Sequence, residues 1–135
     1  MKKLVKKIVV LAAVAAMGLS MIACGKKYKS VADYVKSDEV QEVISTFESQ
    51  LAGTGTELSI TANGDKMVYS FKYEDVEKVD GMEEQLERAI AAEEATFQET
   101  ADELKKVVDV KSPSVVIEYI DANGEIIFTK EYVAK

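Results

Sequence analysis

Two hydrophobic periods succeed one another along this chain. Residues 39–52, EVQEVISTFESQLA, place Val40, Val43, Ile44, Phe47 and Leu51 at spacings of three and four, the stripe of an amphipathic helix. Ser37 or Asp38 is positioned to cap it, and Ser30-Val-Ala-Asp33 has the form of a capping box for a shorter helix ending near Lys36. Gly53-Thr-Gly55-Thr then breaks the helical pattern. Residues 58–73 follow the period of two. With Asn63-Gly64 as a two-residue turn, Ile60 faces Met67 and Leu58 faces Tyr69. Leu58, Ile60, Met67, Tyr69, Phe71 and Tyr73 then share one face of a hairpin, and Ser59, Thr61, Lys66, Ser70 and Lys72 form its wet side.

The helical period returns from Asp80, with Glu83 as its reciprocal cap, and carries Leu86, Ile90, Phe97, Ala101, Leu104 and Val108 as its stripe. Pro113 stops it. Residues 114–133 predict a second hairpin around Asn123-Gly124, with Val115, Ile117, Tyr119, Phe128 and Tyr132 on its core face. A glycine-bulge turn over 121–124 is an equal alternative, so the register stays open. The order helix, hairpin, helix, hairpin predicts an α+β domain: two helix–hairpin units forming a four-stranded antiparallel sheet with helices packed on one face. The turns ITANGD (60–65) and IDANGE (120–125) resemble each other, which suggests either an internal duplication or shared turn chemistry.

Length sets a problem for the second helix. A stretch of about 27 helical residues is roughly 40 Å long, whereas a seven-residue strand spans about 23 Å. The helix must bend, cross diagonally or overhang, and Ala91-Ala92-Glu93-Glu94 interrupts its apolar stripe. Residues 82–90 are therefore expected to pack less firmly than 97–108 and to be open to a partner; the alternative is a helix lying across the sheet with its acidic side in water.

Ahead of all this, residues 1–7 hold four lysines and no acid, and the 16 residues 8–23 carry no charge. A basic start, a short apolar run and a small final residue predict an export signal over 1–23. A bilayer-spanning helix needs roughly 20 apolar residues, which leaves a short anchor helix as the weaker alternative. Cys24, the chain's single cysteine, follows directly. The body, residues 24–135, then divides into a lysine-rich tether (24–30, with Lys26, Lys27 and Lys29) and one domain (31–135). It carries 13 basic and 24 acidic residues, a formal charge of −11, which argues against nucleic acid and against docking on anionic lipid.

The chain has no histidine, no tryptophan and no second cysteine. Zinc and copper sites of usual composition and Ser–His or Cys–His nucleophiles are thereby excluded, so no catalytic, metal or cofactor-binding residues are assigned and no enzyme activity is expected. Asp121-x-Asn123-Gly124-Glu125 approaches a calcium loop, but its glycine stands at the fourth position and Tyr132 where a bidentate Glu belongs. The carboxylates of the second helix (Glu83, Glu84, Glu87, Glu93, Glu94, Glu99, Asp102, Glu103) read as a solvated face.

Met21-Ile22-Ala23-Cys24 resembles the lipobox of bacterial lipoproteins; Ala23 and Cys24 match it, Ile22 is compatible, and Met21 departs from the favoured leucine. The resemblance implies cleavage between Ala23 and Cys24 and a diacylglyceryl anchor on the Cys24 thiol, hence a location on the extracytoplasmic face of the cell membrane. Two acyl chains hold firmly where one holds marginally, at about 0.8 kcal/mol per buried methylene. With SVADYVKSDEVQ, TFQETADELK and PSVVIEYIDANGEIIF, the chain resembles a family of small uncharacterised lipoproteins of Gram-positive bacteria. That implies surface attachment and no residue role beyond Cys24. The expected function is a non-catalytic binding or structural module of the cell envelope with an envelope protein or peptide as partner. The alternative, by analogy with PepSY and beta-lactamase-inhibitor modules, is an inhibitor or folding helper for an exported protease or enzyme.

Overall fold

Two serines turn the chain into its first helices. The Ser30 hydroxyl accepts from the Asp33 N–H at 3.1 Å and opens α1 (Val31–Val35); Ser37, rather than Asp38, accepts from the Val40 N–H at 3.4 Å and opens α2 (Asp38–Leu51). The computed structural model describes residues 28–53, 55–92 and 94–135. The expectations for residues 1–23, for cleavage after Ala23 and for acylation of Cys24 lie outside the described residues. Tyr28, assigned above to the tether, donates its N–H to the Val107 carbonyl and accepts from the Asp109 N–H, both at 2.7 Å, in a parallel bridge to Val108.

Strands β1 (Thr56–Asn63) and β2 (Lys66–Tyr73) form the first hairpin with a register different from the one anticipated: Asn63 pairs with Lys66, Ile60 with Tyr69 and Leu58 with Phe71. The turn residues are Gly64 and Asp65, not Asn63 and Gly64. Positive φ is confined to Gly64 (φ +60), as in a turn whose glycine stands first. The expected core face is nevertheless correct, with Leu58, Ile60, Met67, Tyr69, Phe71 and Tyr73 all buried. Each strand has slid by one residue relative to the other's expected partner, two in all, and a shift of two preserves every inward position because strand side chains alternate with period two. Gly64→Val is expected to lower the melting temperature, since a positive φ costs a residue with a Cβ about 1–2 kcal/mol. A thermal melt checks this, and an unchanged midpoint would show that the turn relaxes.

The α+β class and the four-stranded sheet stand. Strand order is β1-β2-β3-β4, with β3 (Ser114–Ile120) and β4 (Ile126–Val133) forming the second hairpin. The central pair, however, is parallel: Met67 lies beside Val115 and Phe71 beside Tyr119, so the sheet is mixed rather than wholly antiparallel. A parallel neighbour needs a long crossover, and residues 74–113 supply it by carrying the chain from the end of β2 back to the start of β3.

That crossover holds two helices where the periodicity predicts one, α3 (Met82–Ala91) and α4 (Glu94–Val107). At 1.5 Å per residue they are about 15 and 21 Å long, each matching strands of about 23 Å. The break lets both halves bury their stripe. Met82, Leu86 and Ile90 are as deeply buried as Phe97, Ala101 and Leu104, so the expected loosely packed, partner-accessible end at residues 82–90 is not observed. Nor does Asp80 start the helix. Gly81, at φ +92, precedes Met82 with no side-chain cap. Helix α2 packs on β1, α1 on β1 and β2, α4 on β3 and β4, and α3 on β4.

The second hairpin takes the glycine-bulge turn: the Gly124 N–H donates to the Asp121 carbonyl at 3.1 Å, the Asp121 N–H to the Glu125 carbonyl at 2.8 Å, and Gly124 has φ +86. A second, unanticipated bulge follows in β4. Tyr119 pairs with Phe128 and Ile120 with Ile126, which leaves Ile127 as the extra residue, buried at 1% exposure. Val115, Ile117, Tyr119, Phe128 and Tyr132 form the core face as expected. The two turn motifs lie at opposite ends of the sheet, because β2 and β3 are parallel. A rotation that reversed a hairpin's direction while keeping strand order would also turn it over and put its helices on the other side. Shared turn chemistry therefore explains ITANGD and IDANGE better than a copied unit.

Candidate functional site

Parallel β2 and β3 give the sheet two unlike ends. At one, the Gly64 turn meets the start of β3, where the Ser114 N–H donates to the Asp65 carbonyl at 3.1 Å, and the Tyr28–Val108 bridge lies nearby in sequence, just ahead of β3. At the other end, β2 and β3 finish and β1 and β4 begin, and the connecting segments 52–55, 74–81 and 121–125 gather there. This second end holds the candidate site, a groove enclosing about 810 Å³, within the range of small-ligand and peptide clefts.

The groove walls come from the end of α2, the start of β1 and the end of β2. Glu48, Glu57, Glu74 and Asp75 line it in exposed positions, with Lys72 as the opposing charge. The Glu74 N–H donates to the Gly55 carbonyl at 2.8 Å and so ties the two connecting segments together. Gly55 is left-handed (φ +75), and a Cβ there would stand 3.2 Å from an Asp75 carboxylate oxygen, which is why a glycine suits that position. Among the described residues no group of carboxylates is arranged to hold a metal ion.

Buried hydroxyls give this end its chemistry. Thr56, at 7% exposure, lines the groove, and its Oγ1 has no protein hydrogen-bond partner. Directly across the ladder is Tyr73, whose OH is likewise unpartnered, and the Tyr73 ring stacks on that of Tyr119 at 6.1 Å and 7°. The Tyr119 OH is the third such hydroxyl. Burial, and then each ring's tyrosine neighbours, push both phenols well above their ordinary range. They stay neutral and able to donate, and are unsuited to base chemistry. Buried polar groups are usually satisfied, and here three hydroxyl oxygens closed off from the surface lack protein partners at one end of the sheet. Alternation along the strands already puts Tyr73 and Tyr119 on the core face; what it cannot show is that their hydroxyls lack partners. Thr56 reads in the sequence only as part of a glycine-rich loop.

The calcium-like loop beside the groove is a backbone clamp. Asp121 is 1% exposed; its Oδ1 accepts from the Asn123 and Glu125 N–H groups at 2.9 and 2.8 Å, and its Oδ2 from the Lys78 N–H at 3.0 Å. The Ala122 N–H donates to the Val76 carbonyl at 2.8 Å, so 121–125 and 74–81 form one unit. The carboxylate's acceptor capacity goes to the chain itself.

Of the other acids named from the sequence, Glu93 lies outside the described residues, and Glu103 meets Lys106 at 2.9 Å. Glu83, Glu84, Glu87, Glu94 and Glu99 face solvent, and Asp102 accepts from the Gln98 amide and the Lys135 N–H. A small internal space of about 20 Å³ among Tyr34, Ile60, Tyr69, Leu104 and Val115 is room for about one water, a packing feature of the core. Among the described residues no helix is long and apolar enough to cross a membrane.

The chain belongs to the family described as domain of unknown function DUF4854, whose family model matches residues 31–132. No curated protein and no solved structure matches it.

Proposed function

We propose that this member of the DUF4854 family is a lipoprotein of the cell envelope, held to the extracytoplasmic face of the membrane by a diacylglyceryl group on Cys24, and that its groove binds a basic segment of an exported protein or peptide without catalysis. The binding reading rests on one observation: a groove of about 810 Å³ rimmed by the exposed carboxylates of Glu48, Glu57, Glu74 and Asp75. Lysine and arginine side chains bring N–H donors and positive charge, and a peptide backbone adds acceptors for hydroxyl donors. The lipoprotein reading is supported by the MIAC sequence after a charge-free run.

A titration with lysine/arginine-rich and glutamate-rich peptides of equal length tests the groove. The expected result is saturable binding of the basic peptide alone. Glu57→Lys with Glu74→Lys should abolish it, while the charge-matched pair Glu83→Lys with Glu87→Lys on α3 should leave it nearly intact. Equal losses from both pairs would reduce the binding to general charge attraction and overturn the groove. Tyr73→Phe sharpens the result. Removing a desolvated, unpartnered hydroxyl should cost no stability, and relieves a penalty of about 1–3 kcal/mol.

A further inference from the structure

The net charge of the body argues against an anionic surface, but the fold sorts that charge by position. At the groove end, Glu57, Glu74, Asp75, Glu77, Asp80, Asp121 and Glu125 stand against Lys72 and Lys78. At the opposite end, Lys29, Lys36, Lys66, Lys111 and Lys135 stand with Asp33, Asp38, Glu39, Asp65 and Asp109, and Lys105 and Lys106 close α4 on the same side. Some of this charge is engaged: Lys66 meets Glu131 at 3.5 Å, and Lys106 meets Glu103 at 2.9 Å. The contrast remains one between a lysine-bearing end close to balance and an end with a clear excess of acid.

The chain enters at the lysine-bearing end. Tyr28 is bridged to Val108, just beyond α4, and Lys26 and Lys27 directly precede it. Cys24 is four residues from Tyr28 in sequence, so covalent geometry alone limits their separation to about 14 Å. The groove end is about 23 Å further along the strands, beyond the roughly 8 Å over which a surface potential acts at physiological salt.

We propose that the end formed by Tyr28, the Gly64 turn and residues 108–114 is a docking face for anionic lipid headgroups, which sets the domain upright on the membrane with its groove pointing away. The inference rests on the acyl anchor at Cys24. An anchor on Cys24 does not by itself fix the domain's tilt; an anionic surface attracts Lys29, Lys66 and Lys111 and repels the acid of residues 74–81 and 121–125 whenever tilting brings them near. Upright orientation places the groove where a partner outside the membrane reaches it.

The test uses the full acylated chain in vesicles of phosphatidylcholine and phosphatidylglycerol, with one added cysteine carrying a fluorophore at Ser112→Cys or at Asn123→Cys. Both positions are exposed, one at each end of the sheet. Nitroxide-labelled headgroups should quench the Ser112 label strongly and the Asn123 label weakly. The difference should shrink in high salt, in phosphatidylcholine alone, and in the triple variant Lys29→Glu, Lys66→Glu, Lys111→Glu, whose circular dichroism reports whether it is folded. Equal quenching at both sites in anionic vesicles at low salt, with the protein still floating with the vesicles, would overturn the orientation and leave the anchor standing. Failure of the wild-type chain to float with the vesicles would take down anchor and orientation together.

Discussion

Replacing Cys24 by serine is expected to leave an uncut, unacylated precursor in place of a mature lipoprotein. On the proposed anchoring, the thiol would be the nucleophile that accepts the diacylglyceryl group, and a hydroxyl is too weakly ionised to replace it at neutral pH. Processing that depends on the acylated residue then stops, and the chain keeps residues 1–23. The expected effect on anchoring is large because two acyl chains, at about 0.8 kcal/mol per buried methylene, would hold stably where one holds marginally. Intact-mass spectrometry of the membrane fraction should find the wild-type chain beginning at Cys24 with two or three acyl chains, and the variant at full length. A soluble wild-type chain cut at another position would overturn the anchor.

Asp121→Ala is expected to be the most destabilising single change at the groove end. It strips the acceptor from three backbone N–H groups at once, those of Lys78, Asn123 and Glu125. These bonds are partly buried, and partly buried donors left unpaired cost more than the net worth of the bonds they made. Segments 74–81 and 121–125 should loosen together, seen as faster amide exchange at Lys78 and Glu125 and as a lower urea midpoint than that of Asp75→Ala, a change in an exposed rim residue. The same clamp sets a pH dependence. The Lys78 N–H first, then those of Glu125 and Asn123, hold the Asp121 carboxyl below the usual aspartate range. A folded-state pKa below the unfolded one contributes stability that is fully present above the ordinary aspartate value of about 3.9 and lost as pH falls through the folded value. Wild-type stability should therefore decline in acid below that value, with Glu131 and Asp102, both also lowered, acting in the same sense. Asp121→Ala should show a shallower acid decline from an already reduced plateau. An equal decline in both chains would assign the acid sensitivity to the other carboxylates.

The groove was only partly legible beforehand. Its acids are visible as residues, but their convergence depends on α2, β1 and β2 ending at the same edge, which no local pattern encodes. Asp121 shows how a motif misleads: its spacing suggests an ion, while its real partners include the Lys78 N–H, 43 residues away along the chain. Ser30 and Ser37 were readable as caps because capping is decided within three residues of sequence.

Local periodicity by itself determined the element types, the residues that face the core, the two hairpins and the α+β class. Those follow from the 3.6 and 2.0 periods, which act over a few residues and survive errors of detail. The first hairpin shows this, since its register slid by two without moving Leu58, Ile60 or Tyr69 off the core face. Only the tertiary structure decided the rest: the parallel pairing of β2 with β3, the division of residues 82–107 into two helices, and the meeting of Thr56, Tyr73 and Tyr119 at one end. Each depends on how long one element is relative to another and on which edges become neighbours. A helix of about 40 Å has no reason of its own to break; a sheet of about 23 Å that must be covered from end to end supplies one.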